Sequence, residues 1–252
     1  MAAAYLPGSI STLFNTEGAS YTNHFPYDSG TTGADRFLVV TIMHENGASG
    51  PTAVTYGGVS LTLSKTVVVN APDDFSETGY LWTLVNPPTG LNDVVISGNA
   101  GGRDGGATAA VYTGVDQASP IGNTAVNSAL SPTSATTVSI TKQSEDNTVV
   151  WAYVVDQGQG GLSAAADNTA LVIAETALSS TKASSFGTGY RTLGVGVVLV
   201  GVVDSAGGSP DNGIAAMELI ASAPVSTGPA TPINPGAINI LTTSARLTWE
   251  QG

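Results

Sequence analysis

"TAVTYGGVSLTLS", residues 52–64, decides how the rest of the chain is read. Gly57-Gly58 supplies the positive φ angles that a two-residue hairpin turn requires. Beyond it Val59, Leu61 and Leu63 alternate with Ser60, Thr62 and Ser64, the period-2 pattern of a half-buried strand. The same grammar extends outward. "RFLVVTIMHE" (36–45) is apolar on both faces, and "GYLWTLV" (79–85) is closed by Asn86-Pro87-Pro88, because proline cannot donate to a ladder. "NDVVISG" and "ATAAVYTGV" follow, separated by the glycine-rich "GNAGGRDGG" (98–106). Residues 116–135 read as a polar connection before alternation resumes at "TTVSIT". "NTVVWAYVVD" (147–156) has the pattern of a central strand. "TALVIAETAL" (169–178) fits a strand or a short helix and is read as a strand. "LGVGVVLVGVVD" reads as a buried strand, and "GIAAMELIASAP" completes the set.

The expected fold class is therefore all-β, a jelly-roll-like β-sandwich of about ten strands with a short C-terminal β appendage. No repeat of fixed period is visible, which argues against solenoids and propellers. Residues 1–35 read as an irregular N-terminal arm rich in rings (Tyr5, Phe14, Tyr21, Phe25, Tyr27). Such an arm docks on its own domain or on a neighbouring subunit. Residues 36–222 form the sandwich, 223–236 a stiff proline-rich linker, and 237–252 the appendage. Strands at 237–241 and 245–250 cannot bury Ile238, Ile240, Leu247 and Trp249 as an isolated hairpin. They must pack on the sandwich, pair with another subunit or stay disordered. Tyr5, Phe14, Tyr21, Phe25, Ile238, Ile240, Leu247 and Trp249 are thus the candidate assembly residues.

Composition narrows the function. Hydrophobic residues make up 42 % of the 252, enough for a sizeable core. Charged residues are only 10 %, against roughly 25 % in ordinary chains, so the surface must be largely Ser, Thr, Asn and Gly. With seven Lys and Arg and a net charge of −12, a nucleic-acid or anionic-membrane partner is not expected. No cysteine is present, which excludes disulfides and thiolate metal sites. "MAAAYLPGSI" has no basic residue ahead of its apolar stretch and is not expected to be a secretory signal. Membrane insertion is not expected, since no apolar run approaches a span. Read as a complete chain, the protein is expected to be made and assembled in a cytoplasm.

Chemical motifs are sparse. "YDSGTTGADRF" contains Asp28-Ser29-Gly30-Thr31, which fits the D-[ST]-G-[ST] signature of aspartic proteases. That chemistry needs two carboxylates sharing a proton, and no second motif occurs. A polar turn is the plainer reading. His44, beside Glu45, is the candidate base of a hydrolase, but no G-x-S-x-G elbow accompanies it. Two histidines without cysteine make zinc unlikely to be held. Calcium accepts carboxylates on irregular loops, so Asp73, Asp74 and Glu77 in one loop and Asp204 and Asp211 in another are its weak candidates. No other cofactor is expected, and no phosphate cradle occurs. Trp82 and Trp151 sit inside apolar strands and read as core, while Tyr112 and Tyr190 lie near loops where a sugar ring could stack.

Two resemblances sharpen the expectation. "INIL" followed by "SARLTWE", after the proline-rich lead-in, resembles the opening two strands of a fibronectin type III domain, with five further strands missing. The larger part is similar to β-sandwich modules of tailed-phage virion proteins and bacterial surface proteins, carried by "VTYGGVSLT", "GYLWTLVNPPTG" and "AAVYTGVDQASPIG". The resemblance implies a non-enzymatic virion structural protein: a homo-oligomeric capsid decoration, head-fibre or tail attachment module that contacts other virion proteins. The alternative is a carbohydrate-binding or adhesion module of a bacterial surface protein, extracellular and with a glycan as partner. No catalytic residues come with either.

Overall fold

Valine- and threonine-rich runs cut by glycine pairs leave the backbone one economical way to satisfy its N–H and C=O groups, the antiparallel ladder. The computed structural model describes residues 1–15, 24–45, 50–69, 77–98, 105–129, 136–155, 162–175, 185–204 and 211–223. Among them lie seventeen strands and no helix, an all-β sandwich architecture. The sequence reading of about ten strands undercounts because several strands are short or sit at sheet edges.

The first half of the chain builds one sandwich. A five-stranded sheet has the order β1 (Ala4–Asn15), β9 (Gly105–Thr113), β3 (Phe37–Glu45), β7 (Glu77–Val85), β6 (Thr62–Val69). A four-stranded sheet of β2 (His24–Asp28), β8 (Leu91–Ser97), β4 (Ala53–Tyr56) and β5 (Val59–Ser60) covers one side of it. Gly57 and Gly58, with φ of 56° and 79°, turn β4 into β5 as the quoted stretch requires. Leu38, Val40 and Ile42 meet Phe25, Tyr27, Tyr56 and Val94 between the sheets.

The second half repeats the plan, except that the short β5 has no counterpart. Its five-stranded sheet runs β10 (Ile121–Ala129), β17 (Asn212–Leu219), β12 (Thr148–Val155), β15 (Ser185–Arg191), β14 (Thr169–Glu175). A three-stranded sheet of β11 (Thr136–Lys142), β16 (Gly196–Asp204) and β13 (Leu162–Ala164) covers it. Even the irregularities coincide. The register of β6 on β7 slips between Leu63 and Lys65, and that of β14 on β15 between Ala170 and Val172. Likewise β1 slips on β9 between Tyr5 and Ile10, and β10 on β17 between Ile121 and Thr124. The chain is a structural tandem repeat that the sequence reading missed.

One cell shows why it was missed. Val40 faces Trp82 across β3 and β7, whereas at the equivalent place Trp151 faces Gly189 across β12 and β15. Each half keeps one indole there, but on opposite strands, and a Cβ on Gly189 would overlap the Trp151 ring. Packed volume is preserved while the sequence signal is erased.

The two five-stranded sheets also pack on each other. Phe37, Val39, Met43 and Leu81 meet Val150, Ala152, Val154, Phe186 and Met217 in a middle core. Four sheets are thus stacked with three apolar layers between them, and both faces of β3 and β12 are covered. That is why these two strands read as uninterrupted apolar runs.

Two other expectations change. The supposed arm supplies β1 and β2, with Phe25 and Tyr27 in the first core. The supposed polar connection supplies β10. β1 and β10 each pair on one side only, so neither needs the two-faced pattern, and β1 takes Pro7 at its register slip. Residues 224–252, which hold nearly all of the linker and the appendage, lie outside the described residues.

Gly106 on β9 and Gly213 on β17 occupy equivalent places facing the middle core. A side chain on Gly106 would overlap the Phe186 ring, and one on Gly213 would press on Val67 and Val69. Gly106→Val is therefore expected to destabilise the fold by about 1–3 kcal/mol through overpacking. Urea unfolding, with the slope unchanged and the midpoint lowered, is the measurement that checks it.

Candidate functional site

The two catalytic candidates lie at opposite ends of the first sandwich. Asp28 closes β2, where Oδ1 accepts a hydrogen bond from the Gly30 amide at 2.9 Å, the turn geometry of the plainer reading. The Arg36 guanidinium holds the carbonyl of the next residue, Ser29, which places Asp28 near the start of β3. His44 sits at the far end of β3, about 25 Å along an extended strand. Its imidazole is buried, and burial lowers its pKa from the ordinary value.

Of the calcium candidates, Asp73 and Asp74 lie outside the described residues, and Glu77 opens β7 with its side chain buried. Asp204 ends β16 and Asp211 immediately precedes β17. Among the described residues no three His, Asp or Glu side chains gather as metal ligands would.

The assembly candidates also divide. Phe25 is packed in the first core and offers no ring to a neighbour, a correction to the arm reading. Tyr5 turns inward, its ring centroid 6.0 Å from Tyr112 and 5.7 Å from Tyr190. Phe14 lies on β1. Tyr21, Ile238, Ile240, Leu247 and Trp249 are outside the described residues. Trp82 and Trp151 are buried, as expected of core indoles. Tyr112 is buried too, so it is not the loop-side ring that the sequence reading allowed. The same burial, with Tyr190 and Tyr5 close by, pushes its phenol well above the usual tyrosine range.

Polar groups inside the second sandwich are held for structural reasons. Glu218 is fully buried and its carboxylate accepts from the Gln143 amide at 2.5 Å, Asn147 Nδ2 at 2.7 Å and the Asn123 amide at 3.2 Å. Three donors satisfy a charge that would otherwise be costly to bury. Lys142 Nζ donates to the carbonyls of Thr192 and Glu145. Burial lowers its pKa, and the carboxylates of Glu145 and Glu218 oppose the shift.

Two surface features stand apart. The first is the outer side of β16 and the turn that leads into it. Alternation buries Val198, Val200 and Val202 and leaves Leu193, Val195, Val197, Leu199 and Val203 in solvent, with Val197 75 % exposed. This corrects the reading of the run as wholly buried. No pattern in the run distinguishes a covered apolar face from an open one. The corresponding outer face of the first sandwich is mixed, with Asp93 and Ser97 between Leu91 and Val95 on β8, beside His24, Pro26 and Asp28 on β2, and Leu91 is 70 % exposed. The second feature is a groove of about 320 Å³ where the halves meet, walled by Phe37, Leu84, Val85, Pro120 and Ile121. The hydroxyls of Thr62, Ser64 and Thr83 reach it, and Ser64 Oγ lies 2.7 Å from Thr83 Oγ1.

Comparisons with known proteins add no relative: no protein-family model, no curated protein and no solved structure matches this chain.

The Tyr112 phenol gives a pH test. A phenol whose folded-state pKa lies above its unfolded value of about 10 stabilises fully below that value. The contribution is lost as pH rises from there through the folded-state value, because the unfolded chain releases its proton first. Absorbance titration of tyrosinate is expected to show a late-ionising fraction above the ordinary tyrosine range, and Tyr112→Phe is expected to shrink that fraction.

Proposed function

We propose that the protein is a non-enzymatic structural module that self-associates through the outer face of β16. The observation that carries the reading is the aliphatic row Val195, Val197, Leu199 and Val203, uncovered on an otherwise Ser/Thr-rich sheet. Isolated apolar residues on a surface are ordinary, but Val197 and Leu199 side by side on β16, with Val195 in the turn before it and Val203 beyond Gly201, mark an interaction surface. Its neighbours on β11, Ser139 and Thr141, are exposed and uncharged, so burying them against a like surface carries little electrostatic cost.

A virion decoration, head-fibre or tail attachment module fits this reading and the sequence resemblance. Such a protein presents many rigid copies on a particle assembled in a host cytoplasm, with other virion proteins as its further partners. Three stacked cores supply rigidity without disulfides.

Light scattering over a range of concentrations is expected to give a defined oligomer for the intact chain. The double variant Val197→Lys/Leu199→Lys is expected to give a smaller species with an unchanged far-UV spectrum. A monomer at every concentration, or an oligomer indifferent to both lysines, would overturn the role of this face.

A further inference from the structure

The tandem repeat relates two corners of the middle core, and they are filled differently. In one, Tyr5, Tyr112 and Tyr190 interlock with ring centroids 5.7–6.3 Å apart, and Leu171 packs against the same core. The registers identify their counterparts. Tyr5 pairs with Tyr112 at the β1–β9 slip, and Ile121 pairs with Leu219 at the β10–β17 slip. Tyr190 faces Thr169 ahead of the β14 bulge, and Thr83 faces Thr62 ahead of the β6 bulge. Leu171 and Ser64 are the bulged residues themselves. Three phenols and a leucine are thus replaced by Ile121, Leu219, Thr83 and Ser64. The groove of about 320 Å³ lies where that volume is missing.

We infer that this groove is a binding site for a small neutral phenol, seated where the tyrosine rings stand in the other corner. A ring buried there would gain contact with Phe37, Leu84, Val85 and Ile121, the kind of apolar enclosure that holds small ligands. Thr83 is nine-tenths or more buried, and its hydroxyl shares a hydrogen bond with Ser64. When Thr83 donates to Ser64 and not to the Thr62 carbonyl 3.5 Å away, the Ser64 hydroxyl is left to donate to the phenol oxygen, and either hydroxyl oxygen can accept the phenol O–H. Among the described residues no charged side chain lines the groove, and the chain carries a net charge of −12, so a phenolate or other anion is disfavoured. The inference concerns a site away from the β16 face and does not rest on the proposed function.

The test uses the full chain with methyl-labelled Ile, Leu and Val, titrated with p-cresol and followed by NMR. Saturable shifts are expected at Ile121, Leu84 and Val85, with toluene binding about tenfold more weakly for want of the hydroxyl. Thr83→Tyr restores the counterpart of Tyr190 and is expected to abolish the shifts and raise the urea midpoint. Ile121→Tyr restores the counterpart of Tyr5 and provides the same check should the first variant fold poorly. Absence of saturable shifts up to the solubility of p-cresol, or shifts that persist in a folded filling variant, would overturn the site.

Discussion

The contact on which everything else depends is the one between the two five-stranded sheets. Each sheet already covers one face with its smaller partner, and its second face is equally apolar. Left open, that face would expose Phe37, Val39, Met43 and Leu81 on one side and Val150, Ala152 and Met217 on the other. Removing such areas from water is the dominant favourable contribution to folding, so the halves are expected to form one cooperative unit. Neither sandwich has the composition of an independent domain, because its largest sheet has no polar side.

From that constraint the finer features follow. Close approach in the middle core demands glycine at Gly106 and Gly213, and in the core beyond β12 the Trp151 ring demands glycine at Gly189. The shared bulges bend the edge strands at matching places, which keeps the two sheets congruent as they twist. Where the halves differ, they differ by compensation: Val40 with Trp82 against Trp151 with Gly189. The buried Glu218 is a further departure, and backbone and side-chain amides from the neighbouring loop and strands hold it in place. At the tyrosine corner and the groove compensation is incomplete.

How much was legible in the sequence follows from the same physics. Gly57-Gly58 specified the turn, and the doubly apolar runs at 36–45 and 147–156 specified strands covered on both sides. The alternation after the turn misled: Leu61 is buried while Val59 and Leu63 are exposed, because the chain passes from one sheet to the other between β5 and β6. Trp82 and Trp151 read correctly as core. The edge strands β1, β2 and β10 did not stand out, since a strand paired on one side tolerates proline and polar residues that a central strand rejects. The repeat was hidden because packing conserves volume in a cell and not the residue on either strand. The open face of β16 was illegible because exposure depends on what covers a sheet, and the groove because it exists only by contrast with its counterpart.

The joint between the halves has a consequence of another kind. The Met1 amino group donates to the Ser222 carbonyl at 2.9 Å, the Ala3 amide to Asp146 at 2.9 Å, and Val115 bridges to Ala221. The first residue of the chain and the last of the second sandwich therefore meet at one pole, and the folded chain is close to a closed ring. Tension applied between those two points would first load a few short backbone hydrogen bonds at the edge of the middle core, beside Ala3 and Val115. Anything joined at residue 1 and anything joined at residue 222 would therefore sit side by side at the same pole of the stacked sheets.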